Sequence, residues 1–259
     1  MDPILTALNE QQAELSGLLV GLDEAGWHAP TRCEGWDVSD VVLHLAQTNE
    51  MAIGSATGRY PEAVADMSKG LPPRTSGFSG ASAVDDAAAI MVEHQRGAPN
   101  ADLLARWSSG ADALLSELAA MDLHTRVDWV AGQLSARTLA TTRLAETWIH
   151  TGDVAAALGV DLEPTDRLWQ IARLAWRTLP YAFATAGREM SGPVAFRLVA
   201  PGGGAWDFVP EEPAVTTIVG PATELCDVAA RRIEPAATSL RGDGPDADLV
   251  LSLVRTYAL

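Results

Sequence analysis

The stretch SARTLATTRLAETWIHTGDVAAALG, residues 135–159, reads as one long helix with both ends marked. Ser135 supplies an N-cap side chain, and Gly159 stands at the C-terminal stop position. Within it Glu146 and His150 lie four residues apart, so a helix projects their carboxylate and imidazole from one face. Thr142 and Asp153 fall on the same stripe. On an exposed face such a pair is only a weak surface interaction, so its meaning depends on what lies opposite.

A candidate partner is His44, in VVLHLAQTNE (41–50), where Val41 and Met51 place the ring on a largely apolar, core-facing stripe. A lone inward histidine is ordinarily a hydrogen-bonded core residue. Helix bundles nevertheless build metal sites from carboxylates and imidazoles that face each other across the core. Two histidines and one glutamate, His44, His150 and Glu146, leave coordination positions open on a divalent ion. Such a set accepts zinc, nickel, cobalt or iron.

Around this pair the chain divides in character. Asp2 and Pro3 start a helix to about Leu22, and the turn PTRCEGWD (30–37) delivers Asp37 as the N-cap of a second helix reaching about Ala56. Residues 57–80 carry glycines and prolines with little periodicity and read as a long loop. Helices are expected over 81–96 and 100–121, the latter with Trp107, Ala111, Leu114 and Leu118 on one face, followed by a short extended piece at RVDWV (126–130). A linking helix is expected over about 164–189, with a kink at Pro180. After Gly192 the pattern turns to short strands, PVAFRLVA, AWDFV and AVTTIVG, with PGGG as a hairpin turn between the first two. Two further helices are expected over 221–232 and 246–257. The fold class is therefore mainly α, with a helical domain over 1–160 and a smaller α+β domain over 161–259.

The formal charge of −16 disfavours a nucleic-acid partner, because a phosphate backbone needs Lys and Arg to replace its counterions. Two cysteines, Cys33 and Cys226, are too few for a disulfide framework. No apolar run approaches the roughly 18 residues of a membrane span. These features point to a cytoplasmic protein acting on a small molecule, with no membrane partner; the oligomeric state is not legible. The eight tryptophans read as core packing, PGGGAW lacks the strand-then-helix setting of a phosphate loop, and His28, His94 and His124 have no partners at ligand spacing. Cys33, ahead of a helix N-terminus, reads either as a reactive thiol or as an inert turn residue.

GWDVSDVVLHLAQ (35–47), followed about a hundred residues later by TTRLAETWIHTGDVAAALG (141–159), resembles the DinB-like metal-binding superfamily. Within it the segments resemble the actinobacterial mycothiol-dependent maleylpyruvate isomerase branch. PTDRL (164–168) and VTTIVGPATELCDVAARR (215–232) resemble the smaller C-terminal domain of that branch. The resemblance implies a four-helix bundle holding a divalent metal, commonly zinc, at the positions that match His44, Glu146 and His150. It also implies mycothiol as thiol co-substrate and an arginine from the C-terminal domain near the metal, for which Arg231 and Arg232 are the nearest matches.

Chemistry of this kind follows from the site. A cation favours the thiolate of an incoming thiol, the thiolate adds to an electrophilic carbon, and an arginine holds a substrate carboxylate by a bidentate pair. Asp153 reads as an acceptor that orients a ligand or as a helix-surface residue. Three function classes stay open: S-transfer or isomerisation with mycothiol, hydrolysis by metal-activated water, and a non-catalytic metal-binding module.

Overall fold

Asp2 accepts a hydrogen bond from the Ile4 amide and starts helix α1, Pro3–Leu19, with Pro3 in the first turn. In this computed structural model the described residues are 1–71, 82–130 and 132–256, with the side chains of 82–86 outside the description. A short α2, Glu24–Trp27, precedes α3, Val38–Ala56. Asp37 caps α3 as expected, in a reciprocal capping box with Asp40.

Part of the expected loop is helical: α4 spans Tyr60–Met67 and folds back on α3. Gly54 permits this approach, since a Cβ there would sit 2.6 Å from the Ala63 Cβ. The rest of that expected loop, 72–80, lies outside the described residues. Helix α5, Ser82–Gln95, and helix α6, Asn100–Ala120, follow. Helix α6 buries Trp107, Ala111, Leu114 and Leu118, the face read from their spacing. Strands β1, Arg126–Val127, and β2, Leu134–Ser135, form a two-stranded antiparallel ribbon that leads into α7, Ala136–Leu158. Ser135 caps α7, and Gly159 ends it at φ 67°, in the left-handed region where a Cβ is disfavoured.

Four long helices make the frame of this first unit, Met1–Leu162. Helix α1 packs on α6 and α7, and α3 packs on the same two. The apolar core includes Leu15, Leu19, Val41, Leu45, Trp107 and Val154. Both α3 and α7 bury residues on nearly every side, which places several of their polar side chains, His44, Asn49, Arg143, His150 and Asp153 among them, inside the unit.

The second unit begins at Glu163. Where one linking helix is expected, the structure has two: α8, Leu168–Arg177, and α9, Leu179–Thr185. The break falls at Thr178, because Pro180 lacks the N–H that a continuous helix needs and its ring crowds the preceding turn. Strands β3, Val194–Val199, β4, Ala205–Phe208, β5, Thr216–Pro221, and β6, Arg241–Asp243, form one sheet in the order β4-β3-β5-β6. The β3/β4 hairpin turns through Gly202–Gly204 as expected, and β3 and β5 run parallel. Helix α10, Ala222–Ala229, packs on α8 and β5; α11, Ala247–Leu253, packs on β5, β6 and α9. Asp246, buried at the start of α11, accepts from the Ser191 amide and hydroxyl at 2.7 and 2.8 Å.

Candidate metal centre

Positions 143, 146, 150 and 153 advance along α7 in steps of three and four, so Arg143, Glu146, His150 and Asp153 share one stripe. Helix α3 faces that stripe with His44 and Asn49. The nearest of these contacts joins His44 Nε2 to Glu146 Oε1 at 2.7 Å. The His44 and His150 rings meet edge to face with centroids 5.1 Å apart. One ligand atom from each of His44, Glu146 and His150 lies within 4.8 Å of the others. Both imidazoles are buried, at 9% exposure. The structure thus brings together the three residues read from sequence as candidate metal ligands.

Sequence reasoning missed two residues that shape the cluster. Arg143 is fully buried and pairs through one Nη with the second oxygen of Glu146, while its other Nη donates to Asn49 Oδ1 at 3.2 Å. A buried guanidinium without a carboxylate would be costly, so the pair is mutually required. The i, i+3 spacing from Arg143 to Glu146 was visible in the sequence, but an exposed pair has the same spacing. Nothing in the sequence marks Asn49 as its partner.

Electrostatics set the protonation states. Burial opposes ionisation of Glu146, yet Arg143 and then His44 hold its pKa well below the usual carboxylate range. Burial also lowers the Arg143 pKa, with Glu146 opposing that shift. His150 is pushed below its ordinary value by burial, against the pull of Asp153, which favours the neutral ring that a metal requires. His150 Nδ1 lies 3.1 Å from Asp153 Oδ2, and Asp153 is buried at 1% exposure. Asp153 is therefore an inward carboxylate that orients the ring, the first of its two readings. Thr142 turns its hydroxyl to the Leu139 carbonyl and stays outside the cluster.

These residues fit a divalent cation. Glu146 presents a single oxygen, Oε1, toward the histidines because Arg143 engages the other. His44 Nδ1 is buried with no hydrogen-bond partner among the described residues. The Trp36 ring lies 5.2 Å from that of His44, and Trp36 also lines a recess of about 520 Å³ with Leu71, Ala89 and Ile90.

Of the other candidates, Cys33 Sγ stands 3.4 Å from Asp153 Oδ2 and 3.9 Å from His150 Nδ1. Arg231 and Arg232 belong to the second unit, in the turn that closes α10. Arg231 adopts φ 58°, a left-handed conformation that costs a non-glycine residue roughly 1–2 kcal/mol. Arg232 donates through Nη1 to the Ala230 carbonyl at 3.1 Å. His28, without partners at ligand spacing, instead pairs with Asp37 at 2.8 Å. Among the described residues no helix is long and apolar enough to cross a membrane.

Comparison with known proteins agrees with this picture. Residues 8–155 match the model of the mycothiol maleylpyruvate isomerase N-terminal domain. Uncharacterised proteins from two strains of Mycobacterium tuberculosis are 30% identical over 257 residues, covering 99% of this chain and 95% of theirs. The crystal structure of the mycothiol-dependent maleylpyruvate isomerase has a TM-score of 0.58 at 17% identity, and that of a histidine-to-alanine mutant 0.60 at 15%. Each comparison covers 94% of both chains, and at these identities it shows a common fold. The match across more than half of the chain, with near full-length relatives, places this chain in the mycothiol maleylpyruvate isomerase family of the DinB-like superfamily.

Proposed function

We propose that this chain is a divalent-metal-dependent enzyme, with zinc the expected ion, that uses mycothiol to isomerise a small electrophilic substrate or to transfer sulfur to it. The observation that carries this reading is the convergence of His44, Glu146 and His150 from two helices within 4.8 Å, in a member of this family. A cation bound there supplies the positive charge that favours the thiolate of an incoming thiol.

The chain's own residues set the rest. Arg143 offsets the charge of Glu146, and the two imidazoles are neutral donors, so the donor set leaves a dication's charge largely uncompensated. That excess favours the deprotonated form of whatever donor fills the open position, thiolate or hydroxide; membership of the mycothiol maleylpyruvate isomerase family is what favours the thiol. Asp153 holds the His150 ring through Nδ1, which favours the tautomer whose Nε2 carries the lone pair. Arg231 and Arg232 enter through the family resemblance as the guanidinium groups that hold a substrate carboxylate.

Calorimetric titration with mycothiol tests this reading. Binding to the zinc-loaded protein and none to the zinc-stripped protein is expected. Equal binding to both forms contradicts it, and ester turnover by the loaded protein without thiol would favour hydrolysis. An Arg231→Ala or Arg232→Ala variant that raises KM for an acidic substrate with little change in thiol binding would assign the carboxylate contact.

A further inference from the structure

We propose that Cys33, His150 and Asp153 form a second cation site, for a thiophilic divalent ion such as zinc, cobalt or cadmium. Its three donor atoms already stand as one face of a coordination tetrahedron. Zinc bonds of ~2.3 Å to sulfur, ~2.05 Å to nitrogen and ~2.1 Å to oxygen give edges of about 3.6 Å (S–O), 3.6 Å (S–N) and 3.4 Å (N–O). The corresponding separations are 3.4, 3.9 and 3.1 Å. Each differs from its ideal by only about 0.2–0.3 Å.

Charge supports the same assignment. A thiolate, a carboxylate and a neutral imidazole balance a dication, so the complex can be held at a buried carboxylate such as Asp153 without a residual charge. The first cluster differs in this respect, because Arg143 offsets its only carboxylate. The sulfur is also held in place. Cys33 sits in a tight turn in which its amide donates to Thr31 Oγ1 at 3.2 Å and its carbonyl accepts from the Trp36 amide at 3.0 Å. Without an ion, hydrogen bonds from the thiol and from His150 to Asp153 Oδ2 keep the same three atoms together.

His150 is common to both clusters, and its Nδ1 faces Cys33 and Asp153. A neutral imidazole has one lone-pair nitrogen, so filling both clusters at once requires the ring as an imidazolate, and the balanced charge of thiolate, carboxylate and neutral imidazole is that of the second site filled alone. The second site does not depend on thiol catalysis at the first. It adds a donor set of sulfur, nitrogen and oxygen directly behind a ligand of the proposed catalytic ion.

Titrating the metal-stripped full-length protein with Co²⁺ reads the site through the near-ultraviolet sulfur-to-cobalt charge-transfer band, which only a cysteine-bound ion produces. The band is expected in the wild type and in Cys226→Ser, whose thiol is fully buried elsewhere. Loss of the band is expected in Cys33→Ser, and a roughly tenfold or greater loss of apparent affinity in Asp153→Asn. Glu146→Ala should keep it, since that carboxylate serves the first cluster alone. Absence of the band in the wild type, its survival in Cys33→Ser or its loss in Glu146→Ala would each overturn the proposal. Failure of the two sites is separable: cobalt bound without the band removes this site and leaves the first, whereas a band with cobalt stoichiometry unchanged by Glu146→Ala does the reverse.

Discussion

The two units of the chain bury different chemistry. Between α3 and α7 the first unit encloses His44, Asn49, Arg143, His150 and Asp153, whereas the second unit's sheet and helices enclose mostly apolar side chains, with Thr216, Asp246 and Thr256 as buried polar residues. Asp246 serves backbone closure by holding Ser191 and the start of α11. Polar groups in the first unit instead converge on one another. Buried polarity of that kind contributes little to stability on its own, since desolvation offsets much of the pairing energy. Its presence beside an otherwise apolar core is what the proposed metal site accounts for.

The largest effect that sharpens this contrast is expected in the second unit. Phe196, fully buried on β3, should cost about 3–5 kcal/mol when replaced by alanine, read by denaturant unfolding. Metal content of the folded fraction should stay at the wild-type level. An Arg143→Met variant should cost about 3 kcal/mol, at the low end for a broken buried pair because Glu146 is partly exposed and keeps His44 as partner. Adding Glu146→Gln to Arg143→Met should recover part of that loss while abolishing metal binding at the first cluster. A double variant less stable than either single one would break the contrast, by making the pair a net source of stability.

Smaller effects lie at the entry to α3. Asp37→Ala removes the capping box and should cost about 1 kcal/mol in unfolding free energy. The His28–Asp37 pair also gives stability a pH window. Hydrogen bonding to Asp37 raises the His28 pKa, so its contribution is complete below the ordinary histidine value and is lost as pH rises through the raised one. The Asp37 pKa is lowered: burial opposes the shift, but Ser39, His28 and the Asp40 amide outweigh it. Its contribution is present above the ordinary aspartate value and is lost as pH falls through the lowered one. A His28→Ala variant should flatten the alkaline limb of the stability profile and leave much of the acid limb.

How much of this was legible follows the type of signal. Helix α7 was readable from end to end because a serine cap and a glycine stop mark it, and α6 because its apolar spacing is regular. The inward placement of His44 followed from its apolar flanks. Helices α2 and α4 were hidden, being too short for periodicity to register, and the split at Thr178 appeared only as a kink signal at Pro180. Within the site, the i, i+4 pair was visible, but the Arg143–Asn49 contact spans 94 residues and no local rule predicts it. Cys33 is similar: its sequence position suggests a helix N-terminus, whereas its sulfur lies beside Asp153 and His150, far along the chain.

The most direct measurement is elemental analysis of the purified protein after zinc loading and dialysis, alongside Glu146→Ala and His150→Ala. The account predicts at least one retained equivalent in the wild type, one fewer in Glu146→Ala, and almost none in His150→Ala, whose ring serves both donor sets. A wild type that retains no zinc, or a His150→Ala variant that retains as much as the wild type, would contradict it.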